Sequence, residues 1–214
     1  MHNILNNLLL IQKEIQAKKS KAQIIAVSKT FPINEILPLI NHGHIHFGEN
    51  KVQEAVEKWT DIKNDFKNIK LHMIGNLQTN KVKNVIPLFD YIHSLDSIKL
   101  AEKIANEQLK KNRKLKIFIQ INIGNEDQKN GIEIDQLNSF YKKCKNELEL
   151  DIVGLMCLPP MNKDVLNYFS LMQKLSKETE LKELSMGMSQ DFIEALEEGS
   201  TFIRVGSKIF GNRS

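Results

Sequence analysis

Short apolar segments alternate with amphipathic ones along the whole sequence. Eight apolar runs, each bounded by glycine, proline or polar residues, are each followed by a segment whose apolar side chains recur at helical spacing. Residues 5–15 form one more amphipathic helix in front of the first run. The predicted strands cover residues 24–27, 44–48, 71–74, 91–94, 115–123, 152–156, 184–186 and 202–205.

Alternation of this kind implies parallel strands joined by right-handed helical crossovers, and eight such units close naturally into a barrel. We therefore predict an α/β fold, a single (β/α)8 TIM barrel domain over residues 1–214 with an extra amino-terminal helix. The runner-up is a doubly wound open sheet. It is less consistent with the sequence because no G-x-G-x-x-G fingerprint follows the first strand.

Composition excludes several classes of protein. Hydrophobic content of 41% and charged content of 26% are typical of globular domains. The net charge is only +4, and the densest basic run (110–114) has no aromatic residues within it, so we predict no nucleic-acid partner. No apolar run is long enough to cross a membrane. The two cysteines lack CxxC spacing, which predicts that both thiols are free. Residues 1–4 do not resemble a secretory leader, so we predict a cytoplasmic protein.

Lys29 lies where the first predicted strand ends. Ligands of α/β barrels bind at the carboxyl ends of the strands, so its ammonium group is expected to face a site. A lysine in a half-dry pocket loses its proton readily and becomes an amine suited to Schiff-base chemistry. The alternative is an ordinary lysine that reaches solvent at a strand end.

The loops after the seventh and eighth strands carry the residue types of a phosphate site. Ser185 and Ser189 flank a glycine after strand seven, and Gly206 and Ser207 follow strand eight. In TIM barrels these two loops commonly bind phosphate, with a short helix pointing its first turn at the anion. Each loop alone is also explained by a helix cap and a turn glycine. Together, and beside Lys29, they predict a phosphorylated ligand.

A phosphate site next to an amine suits a ligand with a phosphate at one end and a carbonyl at the other. Pyridoxal 5′-phosphate (PLP) and a phosphosugar aldehyde both have this form. Arg204, in strand eight, favours PLP. A guanidinium can only donate hydrogen bonds, and beside the pyridine nitrogen it would leave that nitrogen unprotonated and weaken the cofactor as an electron sink.

These residues belong to a set of motifs that runs in order through nearly the whole chain, and the chain resembles the pyridoxal phosphate homeostasis proteins of the YggS/PROSC type. The resemblance implies a monomeric barrel similar to the alanine racemase amino-terminal domain (fold-type III), with PLP held as a Schiff base on Lys29. The matching segments are residues 26–30, 47–50, 52–54, 72–75, 77–78, 80–81, 154–156, 184–189, 199–201, 204–206 and 209–211.

The resemblance also assigns roles to individual residues. It implies Arg204 at the pyridine nitrogen and Ser185, Gly206 and Ser207 around the phosphate. Asn50 and Met186 are expected to line the cofactor. Lys129, in a polar loop, matches a family lysine and is expected to approach the cofactor from the rim.

The family is regarded as carriers or regulators that keep free PLP low, which implies a non-catalytic protein with PLP-dependent apoenzymes as possible recipients. A small PLP-dependent racemase is the alternative, and a cofactor-free phosphosugar aldolase is a second enzyme candidate. A racemase needs a second base, and Tyr91, Tyr141 and Tyr168 are predicted to be poorly placed for that task. His72 and His93 are expected to be hydrogen-bonded core residues, and no metal site is predicted.

Overall fold

The structure is a computed structural model that describes residues 4–126, 128–160 and 164–211. Eight parallel strands pair in chain order, and the eighth returns to the first, so the sheet is closed. The strands are β1 (Gln23–Val27), β2 (His46–Glu49), β3 (Lys70–Met73), β4 (Tyr91–Leu95), β5 (Lys116–Ile121), β6 (Asp151–Cys157), β7 (Glu183–Met188) and β8 (Phe202–Val205).

Helices follow the strands and surround the barrel, and one helix precedes the first strand. They are α1 (Ile4–Ala17), α2 (Ile33–Asn41), α3 (Val52–Asp65), α4 (Val82–Leu88), α5 (Ile98–Lys111), α6 (Leu137–Lys142), α7 (Val165–Thr179), α8 (Phe192–Glu197) and α9 (Ser207–Phe210). Short 3-10 turns lead into α4 and α6, and a π-helical turn follows α6. The predicted (β/α)8 barrel with an extra amino-terminal helix is confirmed.

Several predicted element bounds are wrong. The second strand begins at His46 rather than at residue 44, the fifth is shorter than predicted, and the seventh extends to Met188. Pro87 lies inside α4, although a proline commonly ends a helix. Burial of Val82, Val85 and Ile86 on that helix outweighs the one backbone hydrogen bond that a proline removes.

Two apolar layers stabilise the barrel. The outer layer packs helices against strands, with Leu8, Phe47 and Trp59 fully buried. The inner layer fills the barrel itself and includes Phe118 and Phe202. Because successive strand residues point to opposite faces, each strand contributes alternately to these two layers.

The described part of the chain contains no helix that is both long and apolar enough to cross a membrane. Residues 1–3 and 212–214 lie outside the described ranges. The prediction of a single domain over residues 1–214, and that of no leader, therefore rest partly on residues whose structure is not described.

Candidate functional site

The carboxyl ends of β1 and β8 lie side by side. Ala26 pairs with Val205 in the ladder that closes the barrel. Half-buried Lys29 comes two residues after β1, and Gly206 comes immediately after β8. The three heavy atoms nearest to a Cβ added at Gly206 would all belong to Val27, at ordinary contact distances beginning at 3.4 Å. The missing side chain therefore leaves the Gly206 backbone uncovered by a Cβ at this mouth.

Arg204 is buried inside the barrel below this mouth, with 4% of its surface exposed. Its guanidinium donates to Ser185 Oγ at 2.6 Å and to the carbonyl oxygen of Cys157 at 2.8 Å. Burial lowers the pKa of Arg204, while Cys157 and Asp191 oppose the shift. A guanidinium keeps its proton in proteins, so Arg204 is a fixed cation with donors only.

Ser185 lies within β7, as the predicted bounds 184–186 require, and not in the loop that follows the strand. β7 continues through Met188, and the Ser185 side chain is fully buried in the barrel, where its hydroxyl contacts Arg204 and His93. Met186, the next residue, points to the opposite face and packs in the layer under the helices. The side chains of these two predicted cofactor neighbours thus lie on opposite sides of the barrel wall.

Asn50 follows β2 at the same mouth as Lys29. Its Oδ1 is buried and has no hydrogen-bond partner among the described residues. Gly75, after β3, packs directly on its backbone, since a Cβ there would lie 2.4 Å from the Asn50 oxygen. An unsatisfied buried acceptor costs free energy, and a donor from a water molecule or a ligand would remove that cost.

The backbone on either side of Lys29 is fixed by an ionic network in the barrel wall. Glu49 is fully buried and accepts hydrogen bonds from Ser28 Oγ (2.8 Å), Lys58 Nζ (3.0 Å) and Trp59 Nε1 (2.9 Å). Lys58 also donates to the carbonyl oxygen of Ser28 at 2.8 Å. Burial raises the pKa of Glu49, and Lys58 opposes that shift.

The network continues past Lys29 to Thr30. Thr30 has a left-handed backbone (φ 70°), and its N–H donates to Glu54, which also pairs with Lys58 at 2.9 Å. Lys29 is therefore held between two anchored residues. This network was not predicted from the sequence. The i,i+4 spacing of Glu54 and Lys58 on α3 was the available signal.

The two predicted phosphate loops touch each other. The N–H of Lys208 donates to Ser189 Oγ at 3.4 Å, which joins the loop after β7 to the first turn of α9. Ser207 begins α9 and is exposed. The chemistry available at this turn is that of backbone N–H groups and hydroxyls.

Lys129 lies farther round the rim. Its ammonium group pairs with Glu126 at 2.5 Å and donates to the carbonyl oxygen of Pro159 at 3.3 Å. It also lines a shallow cavity of about 190 Å³ beside Gln120 and Asn122.

The histidines are arranged in series rather than around a point. His46, His72 and His93 are hydrogen-bonded one to the next inside the barrel, and His44 contacts the carbonyl oxygen of His46 at 2.9 Å. Within the described ranges, no three side chains of His, Cys, Asp or Glu converge as metal ligands. As predicted, His72 and His93 are buried and hydrogen-bonded.

The closed eight-stranded barrel, with a lysine and an arginine near its carboxyl mouth, is the fold of a known protein family. The profile of the family described as "Alanine racemase, N-terminal domain" matches residues 1–214. Among curated proteins, the pyridoxal phosphate homeostasis protein of Haemophilus influenzae is 36% identical over 230 residues, covering 99% of this chain and 97% of that protein. The protein of the same name from Aquifex aeolicus is 37% identical over 201 residues, covering 90% and 87%.

Solved structures agree with these matches. PipY of Synechococcus elongatus, solved without PLP, superimposes with a TM-score of 0.91 at 32% identity, covering 98% of this chain and all of that one. The structure of PipY with PLP bound gives a TM-score of 0.88. The chain belongs to the family of pyridoxal phosphate homeostasis proteins.

Proposed function

We propose that this protein binds PLP at the carboxyl mouth of the barrel, covalently through Lys29, and serves intracellular PLP homeostasis without catalytic turnover. The observation that carries the proposal is the β1–β8 ladder. It brings an amine at Lys29, a guanidinium at Arg204 and the open turn at Gly206 to one end of the sheet.

The residues present fit this cofactor. The amine of Lys29 would condense with the aldehyde carbon of PLP to form a Schiff base and release water, and the aldehyde is the reactive group that PLP supplies. Gly206 and Ser207 would hold the phosphate through backbone and hydroxyl groups. The unsatisfied Oδ1 of Asn50 would accept a hydrogen bond from the ligand.

Two predicted roles change in this proposal. The Ser185 hydroxyl is engaged by Arg204 and His93, so we assign it to holding the guanidinium instead of the phosphate. The side chain of Met186 lies under the helices, so only its backbone is available to the mouth.

Arg204 supports a role in binding over one in catalysis. Facing the pyridine nitrogen, it would donate to that nitrogen without transferring a proton, so the ring would withdraw electrons weakly. The tyrosines give no support to a racemase either. Tyr91 begins β4 at the amino-terminal end of the barrel, and Tyr141 and Tyr168 lie on the outer helices α6 and α7.

The proposal extends to a monomer in the cytoplasm that passes PLP to PLP-dependent apoenzymes. Binding PLP at one reactive amine keeps the concentration of free aldehyde low, which is the chemical basis of homeostasis. The two buried cysteines fit a reducing compartment.

Borohydride reduction followed by peptide mass mapping tests the cofactor and its attachment point. We expect one pyridoxyl-phosphate group on the peptide that contains Lys29, none in Lys29→Ala, and an unchanged yield in the control Lys174→Ala on the exposed face of α7. No adduct, or an adduct spread over surface lysines, would refute the proposal. Racemisation of free amino acids at enzyme-like rates by the loaded protein would replace the non-catalytic role with the racemase alternative.

A further inference from the structure

Inside the barrel, hydrogen bonds join five side chains into one continuous chain. His46 Nδ1 lies 2.9 Å from His72 Nε2, and His72 Nδ1 lies 2.9 Å from His93 Nε2. His93 Nδ1 lies 2.8 Å from Ser185 Oγ, which accepts from Arg204 at 2.6 Å. The chain starts at the first residue of β2 and ends below the carboxyl mouth.

Aromatic rings enclose these histidines. Tyr91 stacks on His72 and Phe118 stacks on His93, each with ring centroids 4.2 Å apart. His72 and His93 have no exposed surface. Burial and neighbouring cations, Arg204 foremost for His93, lower the pKa of each ring, so both are neutral.

Neutral rings in series can be protonated in only a few consistent ways, because each has one N–H donor and one acceptor nitrogen. Arg204 can only donate, so Ser185 Oγ receives its hydrogen bond and has one proton to give. If that proton goes to His93 Nδ1, then His93 must donate from Nε2 to His72. His72 must in turn donate from Nε2 to His46. The opposite direction would leave the Ser185 proton without a partner among the contacts of the described residues.

We propose that Arg204 fixes the direction of this chain and that the chain in return holds Arg204 in place. His46, His72 and His93 are all neutral Nε2–H tautomers, and Ser185 and the histidines are positioning residues for the guanidinium. The contact of Arg204 with the pyridine nitrogen of PLP rests on the proposed function. The direction of the hydrogen bonds from Ser185 to His46 does not.

The far end of the chain lies at the amino-terminal mouth. His46 is 9% exposed, and its neighbours include the ammonium groups of Lys70 and Lys116 and the carboxylate of Asp90. Tyr91 and Lys116 also line an open cavity of about 330 Å³ at this mouth. The positioning chain thus spans the barrel from a solvent-facing floor to the candidate cofactor site.

Long-range ¹H–¹⁵N correlation spectra of the ¹⁵N-histidine-labelled protein test the direction without any cofactor. At pH 7 we expect His46, His72 and His93 each to show the neutral Nε2–H pattern. An Nδ1–H tautomer, a mixture, or an imidazolium at His72 or His93 would overturn the proposal. This result is independent of the borohydride experiment, so each can fail while the other stands.

A serine pair tests the link to Arg204. Ser185→Ala removes the hydroxyl between Arg204 and His93. We expect a mixed tautomer at His93, a shifted absorption maximum of bound PLP and about tenfold weaker PLP affinity. Ser94→Ala deletes a neighbouring buried hydroxyl that has no hydrogen-bond partner in the described structure, and it should change neither spectrum. Ser185→Thr keeps the hydroxyl, so it should restore both the histidine spectrum and the absorption spectrum of bound PLP. Equal effects of the two alanine variants, or no effect of Ser185→Ala, would refute the positioning role.

Discussion

The buried histidines make the stability of this protein depend on pH in a predictable direction. In the folded chain, burial lowers the pKa of His44 and of His46 from 6.5 to about 4. In the unfolded chain both rings are in water and titrate near 6.5. Below pH 6.5 the unfolded state therefore binds more protons than the folded state, and the free energy of unfolding decreases as the pH is lowered.

The magnitude follows from these values. Between the two pKa values each ring changes the free energy of unfolding by up to about 1.4 kcal/mol per pH unit. From pH 7 to pH 5 this amounts to about 2 kcal/mol per ring, or about 4 kcal/mol for His44 and His46 together. His72 and His93 act in the same direction. Glu49, whose pKa is raised, acts in the opposite direction.

Urea unfolding at pH 8, 7, 6 and 5 measures this pH dependence. A variant of His44 isolates the contribution of that ring to the free energy of unfolding. In His44→Gln the amide can still donate to the carbonyl oxygen of His46, but nothing titrates. The decrease between pH 7 and pH 5 should shrink by about 2 kcal/mol. Asn41→Gln, an exposed change in the same turn, should leave the decrease as it is in the unmodified protein. A free energy of unfolding that stays within about 1 kcal/mol from pH 7 to pH 5 in the unmodified protein would refute the reasoning.

Three further predictions concern the walls of the site. Lys58→Met leaves the Glu49 carboxylate buried without its cation, so we expect a loss of about 3–5 kcal/mol in urea unfolding. The double variant with Glu49→Leu should recover part of this, and additive losses would contradict the pairing. Gly75→Ala places a Cβ into the backbone of Asn50, so the free energy of unfolding should decrease by about 1–3 kcal/mol. The affinity for PLP should also weaken, and an unchanged affinity would exclude Asn50 from the site. Burial raises the pKa of both cysteine thiols to about 12. The native protein should therefore not react with a thiol reagent at pH 8 until urea is added. Reaction of the native protein at the rate of a free thiol would contradict this burial.

The sequence was sufficient for the architecture because each strand–helix unit is encoded locally. The bounds of β8 agree with the predicted residues 202–205, and all eight strands were anticipated. The errors occurred where packing overrode local signals. The short apolar run 184–186 extends to Met188 because the pairing of β7 with β8 continues past a register shift.

The contacts within the site could be predicted only in part. Placement of Lys29, Arg204 and Gly206 at one mouth follows from closure of the sheet and the end of each strand. The contact between His93 and Ser185 joins residues 92 positions apart, and which face of each strand points inward depends on the register around the whole barrel. The available signal was general: polar residues in the middle of buried strands must find partners, and the nearest candidates were one another.

The two networks that flank the mouth differ in a way that bears on ligand binding. In the wall, the charge of Glu49 is compensated by Lys58 through Oε1, while the buried Oε2 has no hydrogen-bond partner among the described residues. Inside the barrel, both acceptors that hold Arg204 are neutral, a hydroxyl and a backbone carbonyl. A desolvated cation held by neutral groups attracts any acceptor that reaches it. The barrel interior therefore supplies a fixed positive charge below a mouth that contains an amine. A ligand whose aromatic ring contains a nitrogen and carries an aldehyde can accept a hydrogen bond from the guanidinium and react with the amine.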